Sequence, residues 1–213
     1  MLNTSTSRSS LRGAMSTGLA LLLGVFLMLL LGGGCAASKY NSMVGGQENV
    51  DQKFSEIDNQ YTRRNELIPQ LMGTVKGAAD YEEGVLTEVT NARASVGKLQ
   101  IPTQASADPK AAAEYLAAQQ GLGSAVGRML LTVEKYPTLK ATDQFRDMQS
   151  QIEGTENRIA VARGDYIIAV KKYNTTLRQF PGNLLAGLFG FERMPQLEAT
   201  AAERVAPTID FSK

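Results

Sequence analysis

The stretch FRDMQSQIEGTENRIAVARGDYIIAVKKYNTTLRQF, residues 145–180, decides the fold class. Six bulky apolar side chains recur in it every seven residues: Phe145, Ile152, Ile159, Tyr166, Tyr173 and Phe180. Three residues after each of the first five stand Met148, Thr155, Ala162, Ala169 and Thr176. Alternating spacings of three and four describe one face of an α-helix. The second column is small, so another helix can approach closely there. Toward the end the apolar face drifts onto Val170 and Leu177, as expected of a nearly straight helix whose period is 3.6 rather than 3.5. A helix from about Thr142 to Phe180 would be roughly 55–60 Å long at ~1.5 Å per residue. Ordering it costs about 1–2 kcal/mol per residue, and only the seam residues return about 1.5–3 kcal/mol each. The stripe therefore needs partner helices, and an Ile159→Asp change, burying an unpaired charge, is expected to unfold the domain.

Partners are found upstream. Asp108-Pro109 reads as an N-cap followed by a first helical proline. Ala112, Leu116, Gln119, Leu122, Val126, Met129 or Leu130, Val133 and Tyr136 follow it in one stripe. Gly121, Gly123 and Gly127 allow close helix approach. Gly121-Leu-Gly-Ser124 has the look of a phosphate-loop fragment, but it follows no strand and has no Walker lysine. Tyr136-Pro137 ends the pattern, and the short connection onward implies an antiparallel neighbour. The polar segment 102–109 reads as a loop.

Further upstream, Val50, Phe54, Ile57, Tyr61, Ile68, Leu71, Val75 and Ala78 make another stripe, with Arg64 at the register between Tyr61 and Ile68. Gly45-Gly46 is expected to loosen its start, and Pro69 to kink it. Val85, Val89, Ala92, Val96 and Leu99 continue the pattern beyond a turn marked by Gly77 and Gly84. Arg63-Arg64-Asn65-Glu66 is the densest polar cluster. It reads as a solvated helix face or a cap on the Asn65 carbonyl, with a partner-binding site beside Pro69 as the alternative.

Downstream, Pro181-Gly182 stops the long helix. The apolar segment 183–191 is too short to span a bilayer. It reads as a lid over the bundle, or else as a turn that meets a membrane or partner through Leu188 and Phe189. Ile209 and Phe211 are positioned to pin the polar tail.

At the N-terminus, Arg8 and Arg12 precede the apolar run Leu19 to Leu31, and no charge occurs between Gly13 and Ser38. Three readings stand: a signal anchor, a lipoprotein leader ending at Gly32-Gly33-Gly34-Cys35 with Cys35 as the lipid attachment residue, or ordinary cleavage near Ala36 or Ser38. All three place the domain of residues 39–213 outside the cytoplasm, behind a leader of residues 1–38.

Composition narrows the chemistry. The chain of 213 residues has no His, one Cys and a net charge of +1 with both signs mixed. The usual general base, catalytic triads, thiolate zinc sites and intramolecular disulfides are thereby removed. No basic block favours nucleic acid. Asp80, Glu82, Glu83 and Glu88 lack the alternating ligands of a calcium loop, so no metal, cofactor or catalytic residue is assigned. Glu153, Glu156 and Arg158 could supply acid and charge, although such spacings on one helix mostly give surface ion pairs.

One family fits the order of these segments. Phe54-Ser-Glu-Ile-Asp-Asn-Gln-Tyr-Thr-Arg-Arg-Asn-Glu-Leu-Ile-Pro-Gln-Leu71 resembles the first signature of the LemA family. Thr74-Val-Lys-Gly77, Glu88-Val-Thr-Asn-Ala-Arg93, Tyr136-Pro-Thr-Leu-Lys140, Gly154-Thr-Glu-Asn-Arg-Ile-Ala160, Tyr173-Asn174 and Phe180-Pro-Gly-Asn-Leu-Leu-Ala-Gly-Leu-Phe-Gly-Phe191 continue the likeness. The resemblance covers most of residues 40–213 and implies a bacterial, membrane-associated helical bundle with a short anchor. It brings no catalytic or ligand-binding set. The Gly-rich Cys35 leader and Gly45-Gly46 depart from its pattern.

The expectation is an all-α protein: an antiparallel bundle of four to five long helices behind a hydrophobic leader or anchor helix. It would be a non-catalytic interaction or scaffold module of the envelope, at the periplasmic or cell surface. It would touch lipid through its N-terminal segment, and an unidentified envelope protein through surfaces such as Arg63, Arg64, Leu188 and Phe189. The alternatives are a helical ligand-binding or hydrolytic domain using carboxylates, and a membrane-remodelling module acting through residues 184–191.

Overall fold

The computed structural model describes residues 9–76 and 83–197. Among them every regular element is helical: α1 (Ser9–Lys76), α2 (Glu83–Gly97), α3 (Pro109–Val133), α4 (Pro137–Lys140), α5 (Asp143–Arg178) and α6 (Gly182–Phe189). Arg8, Gly77, Ala78, Asp80, Glu82, Ile209 and Phe211 lie outside the described residues. The described residues divide into two compact units: 9–45 with Thr176–Glu192, and 46–76 and 83–175 with 193–197.

The second unit is the bundle. Its contacts fix the helix directions. Asp58 and Arg64 of α1 meet Tyr115 and Gln119 of α3 in the same order along the chain. On α5 the order reverses: Gly46 packs on Tyr173, Phe54 on Tyr166, and Arg64 on Glu156. Thus α1 and α3 run parallel, and α5 runs antiparallel to both. On the other side, α2 packs against α3, with Glu88 paired to Arg128.

The stripe that decided the fold is the spine of this core. Phe145, Ile152, Ile159, Tyr166 and Tyr173 are all buried, as are Thr155 and Ala169 in the small column and Val170 and Leu177 along the drift. α5 starts where Thr142 Oγ1 accepts the Phe145 N–H at 3.3 Å. Phe180 departs from the expectation. α5 ends at Arg178, the chain turns at Pro181, and the ring is 78% exposed.

On α1, Val50, Phe54, Ile57, Tyr61, Ile68, Leu71 and Val75 are buried as the spacing predicts. One expectation fails there. Gly45-Gly46 is not a helix start, because α1 is helical from Ser9. Gly46 instead lets Tyr173 approach: a Cβ at this position would lie 3.3 Å from its ring. Pro69, expected to kink α1, lies inside it, and the helix continues to Lys76.

α3 opens as read: Asp108 accepts the Ala111 N–H at 2.9 Å, and Pro109 is the first helical residue. Residues 102–108 are irregular, and buried Asp51 holds them by accepting from the Ser106 N–H at 2.8 Å and from its hydroxyl. Glycines 121 and 127 face open space, and only Gly123 of the three receives a neighbour.

In the first unit, α1 is long and apolar enough to cross a membrane. Leu21, Leu22, Leu23, Val25, Phe26, Leu27, Met28, Leu29, Leu30 and Leu31 are 57–75% exposed.

Candidate functional site

The bundle buries an arginine. Arg64, expected on a solvated face or at a partner-binding cluster, is 1% exposed, while neighbouring Arg63 is exposed. The register explains the difference, since Arg64 occupies the core position between Tyr61 and Ile68. A guanidinium there needs several acceptors, and α3 and α5 provide them. Nη2 donates to the Gln119 carbonyl and to Gln119 Oε1, both at 2.6 Å, and Nη1 donates to Glu156 Oε1 at 3.0 Å. The guanidinium carbon stands 5.0 Å from the Tyr61 ring centre, a cation–π geometry.

From Gln119 the network continues inward. Its amide donates to the Tyr115 hydroxyl at 2.8 Å, and that hydroxyl donates to Asp58 Oδ1 at 2.7 Å. Asp58 and Arg64 both belong to α1, so the chain of bonds leaves α1, crosses α3 and returns. Glu156 ties the same arginine to α5.

Beside it lies a polar cavity of about 220 Å³, lined by residues that include Tyr61, Arg64, Gly123, Glu156 and Arg163. Gly123 is required by Arg64: a Cβ there would come within 2.7 Å of Nη1. This is the role of the glycine that looked like part of a phosphate loop, and it sits inside α3. Burial raises the Tyr61 hydroxyl above the ordinary tyrosine range, opposed by the charges of Arg163 and Arg64. Burial and the bond to Asp58 push Tyr115 up further. Tyrosines held protonated in this way are unsuited to act as bases or nucleophiles near neutral pH.

An open groove lies between α1 and α2. It has a volume of about 760 Å³ and is lined by residues that include Asn65, Pro69, Met72, Arg93, Val96 and Leu99. Of the polar cluster read as a possible partner site beside Pro69, Asn65 lines this groove.

Among the described residues, no three carboxylate, thiol or imidazole side chains converge as metal ligands. Glu88 is paired with Arg128. Glu156 serves Arg64, and Gln149 donates to Glu153 at 2.7 Å. In the first unit, Cys35 is exposed on α1. Leu188 and Phe189 of α6 are 75% and 54% exposed.

The LemA family model matches residues 53–211. The chain belongs to the LemA family. Among curated LemA relatives, "Magnetosome protein MamQ 2" of Paramagnetospirillum magneticum is 28% identical over 171 residues, covering 73% of this chain and 63% of the relative. "Magnetosome protein MamQ" of Magnetospirillum gryphiswaldense is 27% identical over 172 residues, with the same coverage. "Protein LemA" of Metamycoplasma hominis is 20% identical over 185 residues, covering 87% of this chain and 78% of the relative. This LemA chain thus spans less than two thirds of the length of the MamQ relatives.

Sequence reasoning placed Arg64 and Gln119 at core registers without pairing them, and it missed Tyr115 and Asp58. The available signal was two polar residues inside two otherwise apolar stripes. A buried guanidinium needs a partner of that kind.

Proposed function

We propose that the protein is a membrane-tethered, non-catalytic interaction module of the bacterial envelope, with the bundle outside the cytoplasm. The tether is the uncharged stretch ending at Ser38, whose large side chains at Leu19 and from Leu21 to Leu31 are exposed. Twenty residues of helix span about 30 Å, the thickness of a hydrocarbon core. Arg8 and Arg12 on its N-terminal side favour a cytoplasmic start. Cys35 is accessible for acylation in the lipoprotein variant of the same tether. Mass spectrometry of the mature N-terminus separates the two forms.

The observation that carries the interaction reading is the groove beside Pro69. It is open, largely apolar and flanked by Arg93, a mixture that suits a protein segment. Gln119 and Glu156 hold Arg64 across three helices, which supports a structural role for this cluster. That some relatives bear the name of magnetosome proteins and another only the family name supports a binding module used in different settings.

The test is site-specific photo-crosslinking in cells. A crosslinker at Met72 in the groove is expected to capture a discrete envelope protein. The same crosslinker at Leu131, exposed on α3, is expected not to. Substrate turnover by the purified protein, with no capture from Met72, would overturn the proposal.

A further inference from the structure

We infer that α6 lies in the lipid headgroup–hydrocarbon interface, as a second membrane contact beside the tether; the inference rests on the tether reading above.

Sequence and geometry converge on this short helix. No charge occurs from Gln179 to Phe191. Within the first unit, α6 turns Gly182 and Ala186 inward, and both are buried. Gly182 is held tightly enough that a Cβ would sit 2.5 Å from the Thr176 carbonyl oxygen and 3.0 Å from Met43 Cε. The opposite side carries Leu184 and Leu188, which are 64% and 75% exposed. Phe180, just before α6, and Phe189, beside Tyr40, are 78% and 54% exposed.

Tyr40 sets the level of α6 along the tether. Its ring meets Phe189 edge-on at 4.9 Å and Phe191 at 5.6 Å. Tyr40 follows the last uncharged residue, Ser38, and the first charge, Lys39. At ~1.5 Å per residue it stands about 3 Å beyond the uncharged stretch that ends at Ser38, the depth at which tyrosines gather on membrane proteins. A helix clamped to that ring has its open face where headgroups meet acyl chains. Eight residues extend about 12 Å, too short to cross and suited to lying in the interface. An apolar face of this kind in water would be an exposed patch of the sort that monomeric domains avoid.

The test uses the full-length protein in a Cys35→Ala background, reconstituted into vesicles of phosphatidylethanolamine and phosphatidylglycerol. Single cysteines are introduced as Leu188→Cys in α6, Leu27→Cys in the span and Leu131→Cys on α3, each carrying an environment-sensitive fluorophore. The probe at 188 is expected to be quenched by lipids bearing a shallow nitroxide and to lose iodide quenching relative to 131. The probe at 27 is expected to respond to a deep nitroxide. If 188 is quenched by iodide as strongly as 131 while 27 responds as expected, the inference fails and the tether stands. If 188 is shielded from both quenchers, protein covers α6, through the bundle or a second copy, and the inference likewise fails. If 27 does not respond to the deep nitroxide, both readings fall.

Discussion

Arg64 and Gly123 form one device split between two helices. Arg64→Met strands the Gln119 carbonyl and side-chain oxygen in the core, while Glu156, 37% exposed, turns to water; stability is expected to fall by about 1–3 kcal/mol, the usual cost of leaving buried acceptors unpaired. Denaturant unfolding of the purified protein checks it. Gly123→Ala pushes a methyl into a guanidinium already held by three hydrogen bonds, so the group cannot swing away cheaply. A loss of about 1–3 kcal/mol is expected. In the Arg64→Met background the same alanine should cost far less, and equal costs in both backgrounds would refute the coupling. A second residue-scale prediction concerns alkali. Burial, with the charge of Asp51 adding to it, raises the Tyr166 hydroxyl to about 12, against about 10 in an unfolded chain. The folded state therefore keeps this proton longer. Its stabilising contribution is complete below pH 10 and is lost as the pH climbs toward 12. Tyr166→Phe should flatten that part of the stability–pH curve, as read by unfolding at a series of alkaline pH values.

At the scale of the element, α5 is where the sequence was most legible. Its large residues sit at helical spacing, and a stripe of that length has few alternatives to burial. Ile159 nevertheless borders the cavity that holds Arg163, where an introduced aspartate has a cation within reach. The Ile159→Asp test is therefore less decisive than the sequence suggested. Ile152 is fully buried, and Ile152→Ala is expected to cost about 2–4 kcal/mol, measured by thermal or denaturant melts. The misreadings share one cause: local rules judged a residue by its type before its neighbours were known. Gly45-Gly46 looked like helix-weakening glycine, although Gly46 makes room for Tyr173. Gly121-Leu-Gly-Ser124 looked like a loop fragment, although Gly123 makes room for Arg64. Phe180 kept the seven-residue count after the helix that gave the count meaning had ended. Arg64 showed only its charge, while its register already placed it inside.

At the scale of the molecule, the helical class and the apolar leader were readable from composition and periodicity. The candidate site was not, because it depends on which residues of α1, α3 and α5 come opposite one another, and a single helix pattern does not contain that information. The tether yields its own prediction. The full chain should stay with membranes through alkaline carbonate extraction, whereas a chain lacking residues 1–38 should be recovered in the soluble fraction with a cooperative melt. Release of the full chain by carbonate would contradict insertion of the apolar stretch.

Asn174 carries a consequence of a different kind. Its side-chain amide bonds both main-chain groups of Met194, accepting from the N–H at 3.0 Å and donating to the carbonyl at 2.8 Å. It behaves there like a borrowed piece of β-ladder in a protein whose described residues contain no strand. Such a fastening depends on one end of the amide donating and the other accepting. Deamidation to aspartate would preserve shape and volume while setting oxygen against oxygen at the Met194 carbonyl. Slow chemical ageing at this one nitrogen would therefore unclip the chain after α6 and loosen the buried Met194 from its apolar surroundings.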